Sequence, residues 1–242
     1  MFEFIVLSYT GVLFLLGAFI PLPYGRFCYN IKDLPLQIPN RISTVFANIF
    51  ALIALVIQCT LTPPQGTLGS VIFTFLCVHF TWRSIVSQLW IGLSYKDPKE
   101  TSFLVSLFYA SFNMFVGIMF GHMIHNITEP FKLYHLAWLC AASISLILNG
   151  YYDIWCNVNR EELGKPVEGL GKYIRKDVMI EYFHLFFNHG LVAPNYILEI
   201  IEWGCFFLLT LYTESFVYFV SVALRLGMRG YWYKVWYYGS SR

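Results

Sequence analysis

Two sets of polar residues stand where an apolar helix should carry none. The first is Asn149, Asp153 and Arg160, spaced i, i+4 and i+11. Asn149 and Asp153 share a helical face, and three turns bring Arg160 back to it. The second is Asn195, Glu199 and Glu202, spaced i, i+4 and i+7, again on one face. Two carboxylates on one face of an apolar helix cost on the order of several kcal/mol when nothing satisfies them. Arg83, Arg225 or a bound ligand rich in hydrogen-bond donors are the candidate partners. All of these residues except Arg83 are expected toward the membrane face that the C-terminus occupies, where they sketch a polar pocket. The plainer alternative is that these groups pair with one another and hold helices together.

Other chemistry finds little support. His122 and His125 are spaced i, i+3, and His184 and His189 lie in a polar stretch, but no third ligand is in reach, so neither a metal nor a haem site is expected. Six cysteines (Cys28, Cys59, Cys77, Cys140, Cys156 and Cys205) are scattered, mostly in apolar blocks. A thiol in such a block behaves as a small hydrophobe, and neither disulfides nor zinc are expected. Gly169-Leu-Gly171 is a loop and not a dinucleotide fingerprint. No Ser-His-Asp or Cys-His arrangement stands out.

The elements that must carry the polar sets are membrane helices. Of 242 residues, 57% are hydrophobic, 19% aromatic and only 12% charged, and mean hydropathy is +0.59. A soluble domain is about 25% charged, and here the apolar residues come in blocks of membrane length. The net charge of +2 gives no reason to expect a nucleic-acid partner. The reading is a single all-α polytopic membrane domain over 1–242, with spans at about 3–23, 42–62, 67–93, 103–125, 132–156, 195–213 and 215–229 and a polar loop at 157–194. Pro63-Pro64-Gln65-Gly66 is expected to turn the chain tightly between spans two and three, and Pro21 and Pro23 to end span one. The last two spans are divided only by Glu214 and are read as two helices, because 195–229 is too long for one crossing. Within 157–194, glycines at 164, 169 and 171 and balanced charges suggest an ordered loop with a short amphipathic helix around 176–187.

Basic residues gather in loops on the cytosolic or matrix side. Seven spans place 14 Lys and Arg on the side of the C-terminus and only Lys132 opposite, with Arg83 inside span three. The N-terminus is therefore expected in the lumen or intermembrane space, and the C-terminus in the cytosol or matrix. The first span carries Glu3 rather than a basic leader and lacks a small-residue cleavage site, so it reads as a retained anchor. The aromatic run 231–238 reads as an interfacial belt, and Asn126-Ile-Thr128 is a glycosylation sequon close to the membrane.

Four blocks then carry a resemblance. Ala193-Pro-Asn-Tyr-Ile-Leu-Glu-Ile-Ile-Glu-Trp203 resembles the N-[FY]-x-G-E-I-x-E-W signature of the steroid 5α-reductase family. Leu76-Cys-Val-His-Phe-Thr-Trp-Arg83 is similar to its F-x-V-H-Y-x-x-R-x-F block. Asn149-Gly-Tyr-Tyr-Asp153, with Arg160 and Gly164-Lys165-Pro166, is similar to its N-x-x-x-D…L-R-x-x-G block, and Leu224-Arg225 with Tyr231-Trp-Tyr233 to its closing block. The similarity covers roughly residues 40–235 in order. It implies an enzyme that uses NADPH to reduce a carbon–carbon double bond conjugated to a carbonyl, in a steroid, polyprenol or enoyl lipid. It also implies a cofactor site at Arg83, Asn149, Asp153, Arg160, Asn195, Glu199, Arg225 and Tyr233. Those types suit the task, since arginines take phosphates bidentately and Asn and Asp take ribose and amide groups.

The departures fall on the chemistry. The family holds and protonates its substrate with a glutamate on span two and a tyrosine on span three; those positions are Asn48 and Phe80 here. Asn does not supply a proton and Phe has no hydroxyl. Arg229 replaces a histidine, Leu198 a glycine, and the family's closing Y-P…P-F tail does not appear before Arg242. The expectation is a catalytically inactive, structural or accessory subunit of a larger membrane complex, with lipids and other membrane subunits as partners and NADPH or lipid binding retained. The inner mitochondrial membrane or the endoplasmic reticulum would house it. The alternative is an active NADPH-dependent double-bond reductase with another proton donor, such as Tyr109, Tyr95 or water. A third reading is a lipid-binding or scaffolding protein without nucleotide.

Overall fold

A computed structural model describes residues 4–6, 8, 11, 36–94, 100–158 and 194–239. These residues are almost wholly helical. Strand β1 (Gln37–Pro39) leads into α1 (Asn40–Leu61). Helix α2 (Thr67–Thr81) passes through a π-helical turn, Trp82–Val86, into α3 (Ser87–Ser94). Strand β2 (Glu100–Ser102) precedes α4 (Phe103–Asn126), followed by α5 (Leu133–Val158), α6 (Pro194–Thr210) and α7 (Thr213–Gly239). Among the described residues, four stretches are long and apolar enough to cross a bilayer: Arg41–Leu61, Thr67–Trp90, Phe103–Asn126 and Leu133–Ile154. The 17 residues of α6 rise only about 25 Å, and α7 carries Arg225, Arg229 and Lys234. The expected first span, 3–23, is described only at residues 4–6, 8 and 11, all helical, with Val6 buried.

The proline turn does what its sequence demands. Pro63 and Pro64 have no N–H to continue α1. The helix closes at Thr62, whose hydroxyl donates to Gln58 O at 2.8 Å. Gly66 then passes so close to the backbone of Ile127–Glu129 that a Cβ there would sit 2.9 Å from the Glu129 carbonyl. A two-stranded ribbon, not expected from the sequence, precedes α1 and α4. It pairs Gln37 with Ser102 and Pro39 with Glu100, and so sets the first turns of α1 and α4 side by side.

Helices α1 and α4 run parallel from that ribbon. Ser43 and Ser106 meet at 2.7 Å, Asn113 Nδ2 donates to Ala47 O at 2.8 Å, and Gly117 lies on Ala51. Gly117 and Gly121 form a small-xxx-small stripe that lets backbones approach closely. A Cβ on Gly117 would overlap the Ala51 carbonyl oxygen, and one on Gly121 would overlap the Gln58 side chain.

Helix α2 packs antiparallel to α6, and α6 antiparallel to α7. Phe75 and His79 on α2 meet Phe206 and Trp203 on α6, and Phe207 on α6 meets Phe216 and Phe219 on α7. The α6–α7 break falls at Leu211 and Tyr212, three residues before the expected Glu214. Leu211 takes φ 56°, a left-handed conformation uncommon for a bulky side chain. Glu214 instead lies in the first turn of α7, where the helix dipole favours a carboxylate. Helix α7 also runs on to Gly239, so the aromatic run 231–238 continues its helix. The centre is aromatic. Trp203 stacks on Phe120 and meets Tyr218 edge-on at 4.4 Å, and all three are buried.

Candidate functional site

Antiparallel packing of α2 on α6 brings two spacings into register. His79 and Arg83 are four residues apart, and Glu202 and Glu199 are three apart in the reverse direction. The result is a ladder. His79 Nδ1 meets Glu202 Oε1 at 2.5 Å in the deep rung, with side chains 5% and 0% exposed. One turn away, Arg83 Nη2 donates to Glu199 Oε2 at 2.7 Å, and Nη1 donates to Asp153 Oδ2 at 3.2 Å. Asn195 Nδ2 donates to the other Asp153 oxygen at 3.3 Å. Four residues of the expected site, Arg83, Asp153, Asn195 and Glu199, thus converge from three helices. Arg83 is a correction of place. It does not stand apart from the others but lies level with Asp153 and Glu199, at the end of the π turn nearest α2.

The ladder is graded in exposure. Arg83, Asp153 and Glu199 side chains are 24%, 27% and 16% exposed, while the His79–Glu202 rung is sealed. Placing carboxylates opposite cations answers the cost of burying them. Around the deep rung the walls are aromatic: Trp203 at 4.8 Å, Phe80 at 5.2 Å and Phe75 at 6.4 Å from the His79 ring.

Asn149 is the exception. It is fully buried one turn before Asp153, and both its amide nitrogen and oxygen lack a partner. Its neighbour Gly150 packs on the Trp82 indole, whose Nε1 is also without a partner. Buried amides are ordinarily hydrogen-bonded, so Asn149 is equipped for a carbonyl, an amide or a hydroxyl that no described residue supplies.

Arg225 does not take up the carboxylates. Its guanidinium lies 4.7 Å over the Phe112 ring, a cation–π contact, and its Nε donates to Ser221 O at 3.3 Å. Buried Tyr218 lies within electrostatic reach of Arg225, Glu199 and Arg83. Arg160 lies outside the described residues, as does the segment 159–193 that holds most of the polar loop. Tyr233 and Arg229 fall within α7, but their side chains lie outside the described set.

Asn48 and Phe80 have different neighbours. Asn48 is half-buried on α1 and accepts from Asn113 Nδ2 at 3.2 Å. Phe80 is buried on α2 between His79 and Phe120. His79 and Tyr218 were not singled out as site residues by the sequence reading. The signal for His79 was present: an i, i+4 pair facing an i, i+3 carboxylate pair on antiparallel helices. No comparable pattern marked Tyr218.

At the opposite end of the bundle the histidines go to separate partners. His122 Nδ1 lies 3.7 Å from Glu214 Oε1, and His125 Nδ1 lies 3.1 Å from Pro63 O. Asn126 of the sequon hydrogen-bonds His122 through its side chain, and its carbonyl accepts from Tyr212. Burial, with Glu129 and Glu214 nearby, pushes the Tyr212 phenol above its usual range. No protein-family model matches the chain, and no curated protein matches it.

Proposed function

We propose that this chain is a seven-span integral membrane protein with its C-terminus in the cytosol or matrix, a catalytically retired relative of the steroid 5α-reductases. In this reading it packs as an accessory subunit in a larger membrane complex, of the inner mitochondrial membrane or the endoplasmic reticulum. The supporting observation is the ladder. Four of the eight residues suited to a coenzyme converge, yet Arg83 turns its charge to Asp153 and Glu199. The positions of a proton-donating pair hold Asn48 and Phe80, neither of which delivers a proton.

The orphaned amide of Asn149 supports retained binding of an NADPH-like dinucleotide or a lipid headgroup. Asn149, Asp153, Asn195 and Glu199 would take ribose and amide groups, and Arg160, Arg225 and Tyr233 the phosphates, with Arg83 beside them. Such a coenzyme supplies hydride when bound. The same amide is what favours the second reading, an active double-bond reductase.

The test is direct. The purified chain in lipid nanodiscs is titrated with NADPH and then offered an enone lipid. The retired-subunit reading expects binding that Asn149→Leu weakens about tenfold or more, the scale of one lost hydrogen bond to a charged or buried partner, with no turnover. Turnover at ordinary enzymatic rates, on the order of 1 per second or faster, would establish the reductase reading instead. Absence of NADPH binding would remove the coenzyme from both.

A further inference from the structure

The deep rung of the ladder does something the cofactor reading does not use. His79 and Glu202 form a titratable pair inside the apolar layer, and only one carboxylate oxygen is engaged. Glu202 Oε2 is buried and has no hydrogen-bond partner. A bare carboxylate oxygen in such a place is costly. A neighbouring charge does not relieve it, because the next rung sets two carboxylates, Asp153 and Glu199, against one guanidinium, Arg83.

The elements packed around the pair bring few compensating charges. Helix α2 offers Arg83, α5 offers Asp153, and α6 offers Glu199 and the Cys205 thiol. Helix α7 offers Arg225, whose guanidinium lies over Phe112, and the Tyr218 hydroxyl. Helix α4 presents the Phe120 ring. The cheapest arrangement in a medium of low dielectric is then a pair with no net charge, in which imidazole and carboxylate together carry one exchangeable proton.

Access to the pair is one-sided. From Asn195 to Glu202 is seven residues, about 10 Å along α6. That distance is lined by Asn195, Asp153, Arg83 and Glu199, all partly exposed. Beyond Glu202 the same helix presents Phe206 and Leu209, against Phe75, Ile72 and Leu68 of α2, and all five are buried. Polar groups able to pass a proton stand on one side, and packed hydrocarbon on the other.

We propose that the His79–Glu202 pair is a proton-binding site within the membrane, loaded and emptied only from the Asn195 end of α6. Loading moves one proton from water at that end onto the pair, and unloading returns it. No other bond is made or broken, and no redox partner takes part. The proposal stands independently of any coenzyme.

The experiment uses the full chain in lipid nanodiscs with nitrogen-15-labelled histidine, His79→Gln assigning the His79 signal. As pH is scanned from about 5 to 9, the His79 nitrogens should report uptake of a proton, coupled to a carboxyl infrared band that Glu202→Gln abolishes. Glu199→Gln and Asp153→Asn should slow proton exchange at His79 about tenfold or more, and Leu209→Ala should leave its rate unchanged. A His79 signal fixed across the whole scan, which is read on the unaltered chain once the signal is assigned, would overturn the site. Exchange unaffected by both ladder variants, or accelerated by Leu209→Ala, would overturn its sidedness.

Discussion

The α1–α4 pair and the α2–α5–α6 ladder are two answers to one problem, joining helices where hydrocarbon surrounds them. In α1–α4 the joint is made by absence. Gly117 and Gly121 have no side chains, and backbone meets backbone, with small polar bonds such as Ser43–Ser106 alongside. In the ladder the joint is made by ionisable groups, His79 on α2 and Arg83 in the π turn facing carboxylates on α6 and α5. The first joint gains from contact and dispersion. The second offsets the expense of its own ions and gains little beyond that. A region that spends so much to break even is better explained by a task than by stability.

That contrast is open to attack, first at the ladder. Arg83→Leu leaves Asp153 and Glu199 facing each other, and about 2–4 kcal/mol of stability should be lost, between the values for exposed and fully buried pairs. Unfolding in mixed micelles measures it. Changing Arg83, Asp153 and Glu199 together to leucine should recover most of that loss, because matched apolar groups replace buried ions at little cost. Failure to recover would mean that the charges themselves hold the helices, and the contrast would dissolve.

At the other joint, Gly117→Val drives a Cβ into the Ala51 carbonyl and should cost about 1–3 kcal/mol by overpacking. Gly204→Ala is the matched control. Its Cβ would lie 3.3 Å from the movable Phe219 ring, so the change should be far milder in the same unfolding assay. Asn113→Ala removes the bonds to Ala47 and Asn48 and should cost about 1 kcal/mol. Ser43→Ala is the smallest, about 0.6 kcal/mol, the average for a hydrogen bond between membrane helices. A Ser43 effect as large as that of Gly117→Val would show that polar bonds, and not close backbone approach, join α1 to α4.

Much of the architecture was legible along the chain. Pro63-Pro64-Gln65-Gly66 ends one helix before another begins, and the apolar blocks at 42–62, 67–93, 103–125 and 132–156 are helices at nearly those positions. These features depend on local rules: prolines without an N–H, and runs long enough to span hydrocarbon. The joining of Asp153, Asn195 and Glu199 was foreshadowed by their one-face spacings. The ribbon was invisible, since three-residue strands leave no period to read. The π turn at Trp82–Val86 was equally hidden, because one wider turn inside a continuous helix leaves no mark in the spacing of its residues.

What the sequence determined by itself is that this chain carries apolar helices, where several of them begin and end, and that carboxylates and amides ride on them against their nature. Each of those facts is set by a residue and its near neighbours in the chain. Only the tertiary structure decided who answers whom. It gave Glu202 to His79, gave Arg83 to Asp153 and Glu199 together, turned Arg225 onto Phe112 and Tyr218, and left Asn149 without a protein partner. Pairings across 70 to 123 residues of chain depend on the relative height and rotation of packed helices. Those are fixed by the sum of many contacts and by no single spacing along the chain.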